Sequence, residues 1–371
     1  MKGNSPLQLP LHGGQLRKIA EHYQIPVERL LDFSVNINPA GPPRSVLETL
    51  RHALDNPASL AVYPDLELTE LKRTISGSID VAPENIAVAN GFAPLLDSAL
   101  RASEIKRCLL PEPAFGEYRS RLQNAGVQVI SLQLSPEKAF EYSLDTIRNA
   151  LLDYSCDAIL LANPQNPSGV LSDSEKILRL VEIAAENNVF VLLDEAFIDY
   201  CPSASISQKT LHRANVIVFR SVTKFFAIPG LRVAYAVGAT SKIRAMNSLI
   251  APWPVTELAA NGVSAAVRDR AYADESRAAN DRRRSWLETE LAKLEITTYA
   301  SCTNFLLLRF SSPTNVDLLF EKMIIEEQIV LRSCTNFRGL APGHLRTAVR
   351  CEAENERLIR GLNRVLSALS S

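Results

Sequence analysis

Four short polar stretches stand directly behind apolar runs: Asn90-Gly91, Asn163-Pro164-Gln165-Asn166-Pro167, Asp194-Glu195-Ala196 and Ser221-Val222-Thr223-Lys224, with Arg232 a few residues further on. Between them they supply an acid, a lysine, carboxamides, hydroxyls and a guanidinium. A lysine amine attacks a carbonyl carbon only in its neutral form, so it needs a setting that lowers its pKa. A carboxylate close by can keep a heterocyclic nitrogen protonated. No G-x-G-x-x-G opens a helix after a strand and no G-x-x-x-x-G-K-[ST] occurs, which removes the main support for dinucleotide and P-loop chemistry.

Those stretches can act together only if the chain brings them to one edge. From about residue 84 to 240, short apolar runs alternate with helix-like stretches: Ile86 to Ala89, Arg107 to Leu110, Val127 to Ile130, Ala158 to Leu161, Val189 to Leu193, Val216 to Phe219 and Val233 to Val237. Strands buried on both faces read this way, so a mainly parallel sheet covered by helices is expected. In such a sheet ligands gather beyond the carboxyl ends of the strands, where the polar stretches lie. Ser172 to Glu186 predicts a helix capped by Ser172 or Asp173. After Pro252-Trp253-Pro254 the pattern changes to a long helix over Asp274 to Leu294, an apolar run at Thr303 to Leu308 and a helical tail from Glu352 to Leu369. This predicts a second, smaller α+β domain. The segment up to Pro43 is rich in turn formers, notably His12-Gly13-Gly14 and Asn36 to Pro43, and reads as an ordered arm or a linker.

Composition narrows the partners. The chain has 371 residues, 46% hydrophobic and 22% charged, with 40 Lys and Arg against 41 Asp and Glu. A net charge of -1 offers no global field for a nucleic-acid backbone or an anionic membrane, so a small molecule is the expected partner. Arg282-Arg283-Arg284, with Asp281, Glu288 and Glu290 around it, reads as a charged helix face. No apolar run approaches membrane-spanning length and no apolar stretch follows Met1, so a cytoplasmic location is expected. The six cysteines, at 108, 156, 201, 302, 334 and 351, form no C-x-x-C pair; reduced thiols packed as small hydrophobes are expected, and no metal site.

A lysine, a strand-end acid, an amide and hydroxyls at one edge, with Arg232 a few residues on, are the equipment of pyridoxal phosphate chemistry. Asn163 to Gly169, Leu193 to Asp199 and Ser221 to Arg232 resemble, in that order and at fitting separations, the signature segments of fold-type I pyridoxal-phosphate enzymes of the aminotransferase class I/II group. The resemblance covers nearly the whole chain. Within the group it is closest to L-threonine-O-3-phosphate decarboxylases of cobalamin biosynthesis and to histidinol-phosphate aminotransferases. His12-Gly13-Gly14, Asp32 to Pro39, Ala227 to Gly230 and Leu331 to Asn336 look like decarboxylase segments, as does Phe197, where the aminotransferase branch usually has a tyrosine.

The resemblance implies an α/β fold-type I transferase: a seven-stranded, mainly parallel sheet sandwiched by helices, with a smaller α+β domain. The corresponding organisation is an arm over 1–43 that contributes to the small domain and substrate site, a large cofactor-binding domain over 44–251, and a small domain over 252–371. Lys224 would form the Schiff base with pyridoxal 5'-phosphate and later move protons. Asp194 would pair with the pyridinium nitrogen, Asn166 would donate to the phenolic oxygen and Phe115 would stack on the ring. Ser221, Thr223 and Arg232 would grip the phosphate together with the helix start at Asn90, Gly91 and Phe92. Tyr63 would reach the phosphate of a neighbouring subunit, which implies a homodimer with shared active sites. The substrate would be a small phosphorylated amino acid, its carboxylate held by Arg346 and its phosphate by Arg332 and Arg350, with His12 and Asn38 closing over it. Phe92-Ala93-Pro94 departs from the hydroxyl and acidic residues of relatives; one side-chain contact to the phosphate is lost and backbone donors remain. Three readings stay open: the decarboxylase, the aminotransferase and a non-catalytic cofactor binder.

Overall fold

The computed structural model describes residues 13–311 and 314–370. Strand β1 (Leu31–Asp32) lies in the N-terminal segment. Seven strands follow: β2 (Ile86–Ala89), β3 (Arg107–Glu112), β4 (Gln128–Gln133), β5 (Ala158–Ala162), β6 (Phe190–Asp194), β7 (Val216–Ser221) and β8 (Ala234–Gly238). The remaining strands are β9 (Thr297–Thr298), β10 (Phe305–Arg309), β11 (Ile329–Val330), β12 (Arg332–Ser333) and β13 (His344–Ala348).

Every residue of β5, β6 and β7 is buried, because successive side chains enter different cores. Ile159, Leu161, Val191 and Leu193 pack on one side with Ile147, Ile177 and Val181 of the helices Leu144–Asp153 and Ser174–Glu186. Ala158, Leu160, Ala162, Phe190 and Leu192 pack on the other with Leu95, Leu96 and Leu122 of the helices Phe92–Ala102 and Gly116–Asn124. The apolar runs are therefore central strands of a helix-covered sheet, ordered β2-β8-β7-β6-β5-β3-β4. Neighbours pair parallel except around β8, which runs antiparallel to β2 and β7.

A third core joins the outer face near β2 and β8 to helices, with Val46, Leu71, Ile75 and Val263 at its centre. The second sheet, ordered β12-β13-β10-β9, is antiparallel and packs with the helices Arg270–Lys293, Val316–Ile325 and Glu352–Ser370 around a fourth core. Ile19, Leu30 and Phe33 of the N-terminal segment belong to that core, and β1 pairs in parallel with β11. Among the described residues, this part of the segment therefore packs into the smaller sheet region.

Helix boundaries follow their caps. The helix expected from Ser172 begins at Ser174 because Asp173 takes the cap, its carboxylate accepting from the Lys176 amide at 2.7 Å. The long helix begins at Arg270, four residues before its expected start, because Asp269 accepts from the Tyr272 amide. No helix among the described residues is long and apolar enough to cross a membrane.

Candidate active site

The C-terminal ends of β5, β6 and β7 and the start of the helix Phe92–Ala102 open on a cavity of about 420 Å³. Sheet register puts Ala162 beside Asp194 and Asp194 beside Phe219, so the residues that follow each strand are neighbours in space although far apart in sequence. Lys224, Asp194, Asn166, Phe115, Ser221, Thr223, Arg232, Gly91, Phe92, Arg332 and Arg346 all line this cavity.

Lys224 Nζ lies 3.4 Å from Ser221 Oγ, to which it donates, and 5.6 Å from the centre of the Phe197 ring. Removal from water lowers its pKa; the Asp194 carboxylate opposes this, and Arg232 and Arg346 add to the lowering. The lysine is therefore poised to be a neutral amine at lower pH than an ordinary one. Asp194 is buried, and burial raises its pKa. Two donors favour its charged form: the Tyr118 hydroxyl donates to Oδ2 at 2.5 Å and the Ala196 amide to Oδ1 at 2.8 Å.

Gly91 has φ +85° and introduces the helix Phe92–Ala102 without a side-chain cap. A Cβ there would stand 2.8 Å from Arg232 Nη2, so glycine lets the guanidinium lie against the helix start. Ser221 Oγ and Thr223 Oγ1 are 2.9 Å apart in the same wall. Two hydroxyls, a guanidinium, an amine and free helix N–H groups make an anion cradle of the kind a phosphate ester fills. With Asp194 and Asn166 in the same cavity, the residues present fit pyridoxal phosphate. The Phe92 ring meets that of Phe219 edge to face at 5.2 Å and lies tilted to that of Tyr118 at 5.6 Å; it fills space and leaves anion binding to the backbone.

Across the cavity, β12 and β13 place Arg332 and Arg346 directly opposite each other. Arg346 donates to Asn166 Oδ1 at 2.7 Å and to the Ser34 carbonyl at 3.4 Å, while its buried Nε has no partner. Burial pulls its pKa down to about 10. Arg332 donates to the Ser333 carbonyl at 2.6 Å and to Asn336 Oδ1 at 2.8 Å, and burial lowers its pKa too.

Several expected positions do not come to the cavity. Asn38 is buried as a strut: its amide donates to the Phe225 carbonyl, Tyr272 Oη and Ser276 Oγ, and its backbone N–H to the Lys224 carbonyl at 3.0 Å. It braces the Lys224 loop and leaves no donor for a ligand. Arg350 lies past the end of β13, pairs with Glu354 at 2.8 Å and covers the Phe33 ring. Asn90 is exposed outside the lining. Tyr63 is 79% exposed, its ring 4.7 Å from that of Trp253, and is remote from its own chain's cavity lining. His12 lies outside the described residues.

Asn36 and Tyr118 are among the lining residues not singled out from the sequence. Asn36 is buried with Oδ1 unpartnered, two residues from the strut Asn38. Tyr118 lies three residues after Phe115, with the two rings 5.5 Å apart edge to face. An aromatic pair at that spacing at a helix start is the one sequence signal that pointed to it.

Residues 28–364 match the family model described as aminotransferase class I and II. The chain is 31% identical to the threonine-phosphate decarboxylase of Salmonella typhimurium over 369 residues, 97% of each chain. It is 26% identical to the histidinol-phosphate aminotransferase of Methanocaldococcus jannaschii, over 96% of this chain and 94% of that one. Its fold superposes on the crystal structure of the histidinol-phosphate aminotransferase from Clostridium acetobutylicum with a TM-score of 0.83 at 28% identity, covering 91% of this chain and 99% of that one.

Proposed function

This chain belongs to the aminotransferase class I and II family, and from that premise we propose that it is a pyridoxal 5'-phosphate enzyme that decarboxylates L-threonine-O-3-phosphate to (R)-1-amino-2-propanol O-2-phosphate, a step of cobalamin biosynthesis. The observation that carries the reading is the cross-strand pair Arg332 and Arg346, both buried and both facing the cavity that holds Lys224. Like charges directly opposite on neighbouring strands repel, and burial makes each cation costly. An occupant with two anionic groups repays both costs, and a phosphorylated amino acid brings a carboxylate and a phosphate. Arg346 takes the carboxylate by a two-pronged contact and Arg332 the phosphate. The unpartnered Oδ1 of Asn36 is left to accept from the substrate's remaining donor.

When bound, pyridoxal phosphate supplies an electron sink for the pair released as a bond to the α-carbon breaks. The protein's part is orientation and proton transfer. Asp194 would accept from the ring nitrogen and keep it protonated. Asn166, its Oδ1 taken by Arg346, would present its amide N–H groups to the ring hydroxyl. Lys224 Nζ would return a proton to the α-carbon in place of the carboxylate lost as carbon dioxide. Phe197 puts an apolar ring beside Lys224, where a tyrosine would add a second polar contact. Tyr63, Leu60, Val62, Leu66 and Trp253 are exposed together, and we assign this surface to a second copy, Tyr63 reaching the partner's phosphate cradle.

The test is carbon dioxide release from L-threonine-O-3-phosphate by protein supplied with cofactor and no keto-acid acceptor. Turnover beyond one equivalent per subunit is expected. No release, with glutamate converting the cofactor to its amine form, would replace this reading by a histidinol-phosphate-type aminotransferase. Within the same assay, Tyr118→Phe removes one donor from a buried carboxylate, raises the Asp194 pKa further and is expected to slow turnover roughly 10-fold, the worth of one hydrogen bond to a charged group. An unchanged rate would mean that Asp194 keeps its charge without the phenol.

A further inference from the structure

Six cysteines are free thiols, and two of them meet: the sulfurs of Cys201 and Cys302 are 2.7 Å apart, across 101 residues of chain. Cys108, Cys156 and Cys334 are buried, whereas Cys201, Cys302 and Cys351 are partly exposed, and of these three only Cys201 and Cys302 meet sulfur to sulfur among the described residues. From this juxtaposition we infer that Cys201 and Cys302 are an oxidation site, closing a reversible disulfide that pins two walls of the active-site cavity together.

Each partner is tied to a different wall. Cys201 ends the turn Ile198–Tyr200 that follows Asp194 and Phe197. Within that turn Asp199 accepts from Arg220 at 2.6 Å, and Arg220 itself lines the cavity. Cys302 stands just before β10, which pairs with β13 so that Leu307 lies opposite Arg346. Phe197 and Phe305 already touch edge to face at 4.9 Å beside the two sulfurs' segments. The Cys302 amide donates at 3.4 Å to the carbonyl of Gly169, in the segment that supplies Asn166. Gly169 has φ +79°, and a Cβ on it would strike Ser301, so glycine allows this close approach. The thiol pair therefore joins the segment that follows Asp194 and Phe197 to the segment that leads into β10, the neighbour of the strand carrying Arg346.

The chemistry closes with a peroxide as oxidant. One thiol gives up its proton and its sulfur attacks an oxygen of hydrogen peroxide; the O–O bond breaks, the departing hydroxide takes up that proton and leaves as water, and a sulfenic acid forms. The second thiol then attacks that sulfur, the S–S bond forms and a second water leaves; the two sulfurs are oxidised by two electrons in all and the peroxide is reduced by two. A thiol reductant reverses the step. Substrate must enter and product leave between these walls, so fixing them slows turnover, while the cross-link constrains the unfolded chain and raises the melting temperature.

The experiment treats reduced, cofactor-loaded protein with hydrogen peroxide and reads three things: the peptides joined after digestion without reductant, the melting temperature, and turnover. Expected are a linked pair of peptides containing Cys201 and Cys302, a higher melting temperature and a several-fold slower turnover, all restored by dithiothreitol. Cys201→Ser and Cys302→Ser should each abolish the link and keep turnover under peroxide. The absence of the linked pair while other thiols oxidise would overturn the site. So would a link that moves neither melting temperature nor turnover, or a peroxide loss of turnover that persists in both variants. The turnover arm rests on the proposed decarboxylation; the linked peptides and the melting temperature do not, so the two readings fail separately.

Discussion

Lys224→Ala is expected to lower turnover of L-threonine-O-3-phosphate by at least about 10⁴-fold, since a covalent anchor and a proton donor are lost together. The variant should still fold, because Lys224 Nζ makes one long hydrogen bond, to Ser221 at 3.4 Å, and no ion pair among the described residues. The same residue sets a pH dependence. Burial depresses the Lys224 pKa, so its reactive neutral form appears at lower pH than that of an ordinary lysine. Uptake of pyridoxal phosphate by the stripped protein should therefore accelerate as pH rises, with a midpoint below the ordinary lysine range, followed as an absorbance change. A midpoint in the ordinary range would mean that Asp194, which pulls the other way, outweighs desolvation. Retained turnover in Lys224→Ala would instead mean that Lys224 is neither the covalent anchor nor the proton donor.

Arg346→Gln should raise KM for the same substrate by about 10²-fold with a smaller effect on kcat, the loss expected when one partner of a buried charged contact is removed. What separates recognition from structure is the melting temperature. Arg346 has no carboxylate within ion-pair reach among the described residues, carries a buried unpartnered Nε and faces Arg332 across the strands. Removing its charge relieves a cost of folding, so the variant should melt at the same temperature or higher. A lowered melting temperature with an unaltered KM would make Arg346 a structural residue.

The position of the site was legible because each apolar run ends abruptly in polar residues, and a parallel sheet sends all such ends the same way. Lys224 and Asp194 could be placed on that rule before any coordinates; Arg232 stands ahead of the antiparallel β8 and reaches the same edge from the start of that strand. What escaped were choices made by distant partners. Asn36 and Asn38 have the same side chain two residues apart, and contacts to Phe225, Tyr272 and Ser276, from 187 to 238 residues away, decide which becomes the strut. Tyr118 reads as core until its hydroxyl meets Asp194, 76 residues on. Arg350 is one turn from Arg346 by count, but it lies beyond the strand end, where the next helix offers Glu354. The pairing of β1 rests on two residues, too few for any period to show.

That last pairing bears on how the chain is made. On the ribosome, the seven strands from Ile86 to Gly238 can assemble as soon as they emerge, since each partner lies within that stretch. Leu31–Asp32 cannot: its partners, Ile329 and Val330, are translated near the end of the chain. Meanwhile the apolar side chains of Ile19, Leu30 and Phe33 have no core to enter. During synthesis these apolar side chains therefore stay uncovered until β11 emerges, and the arm that braces the Lys224 loop is among the last pieces to lock.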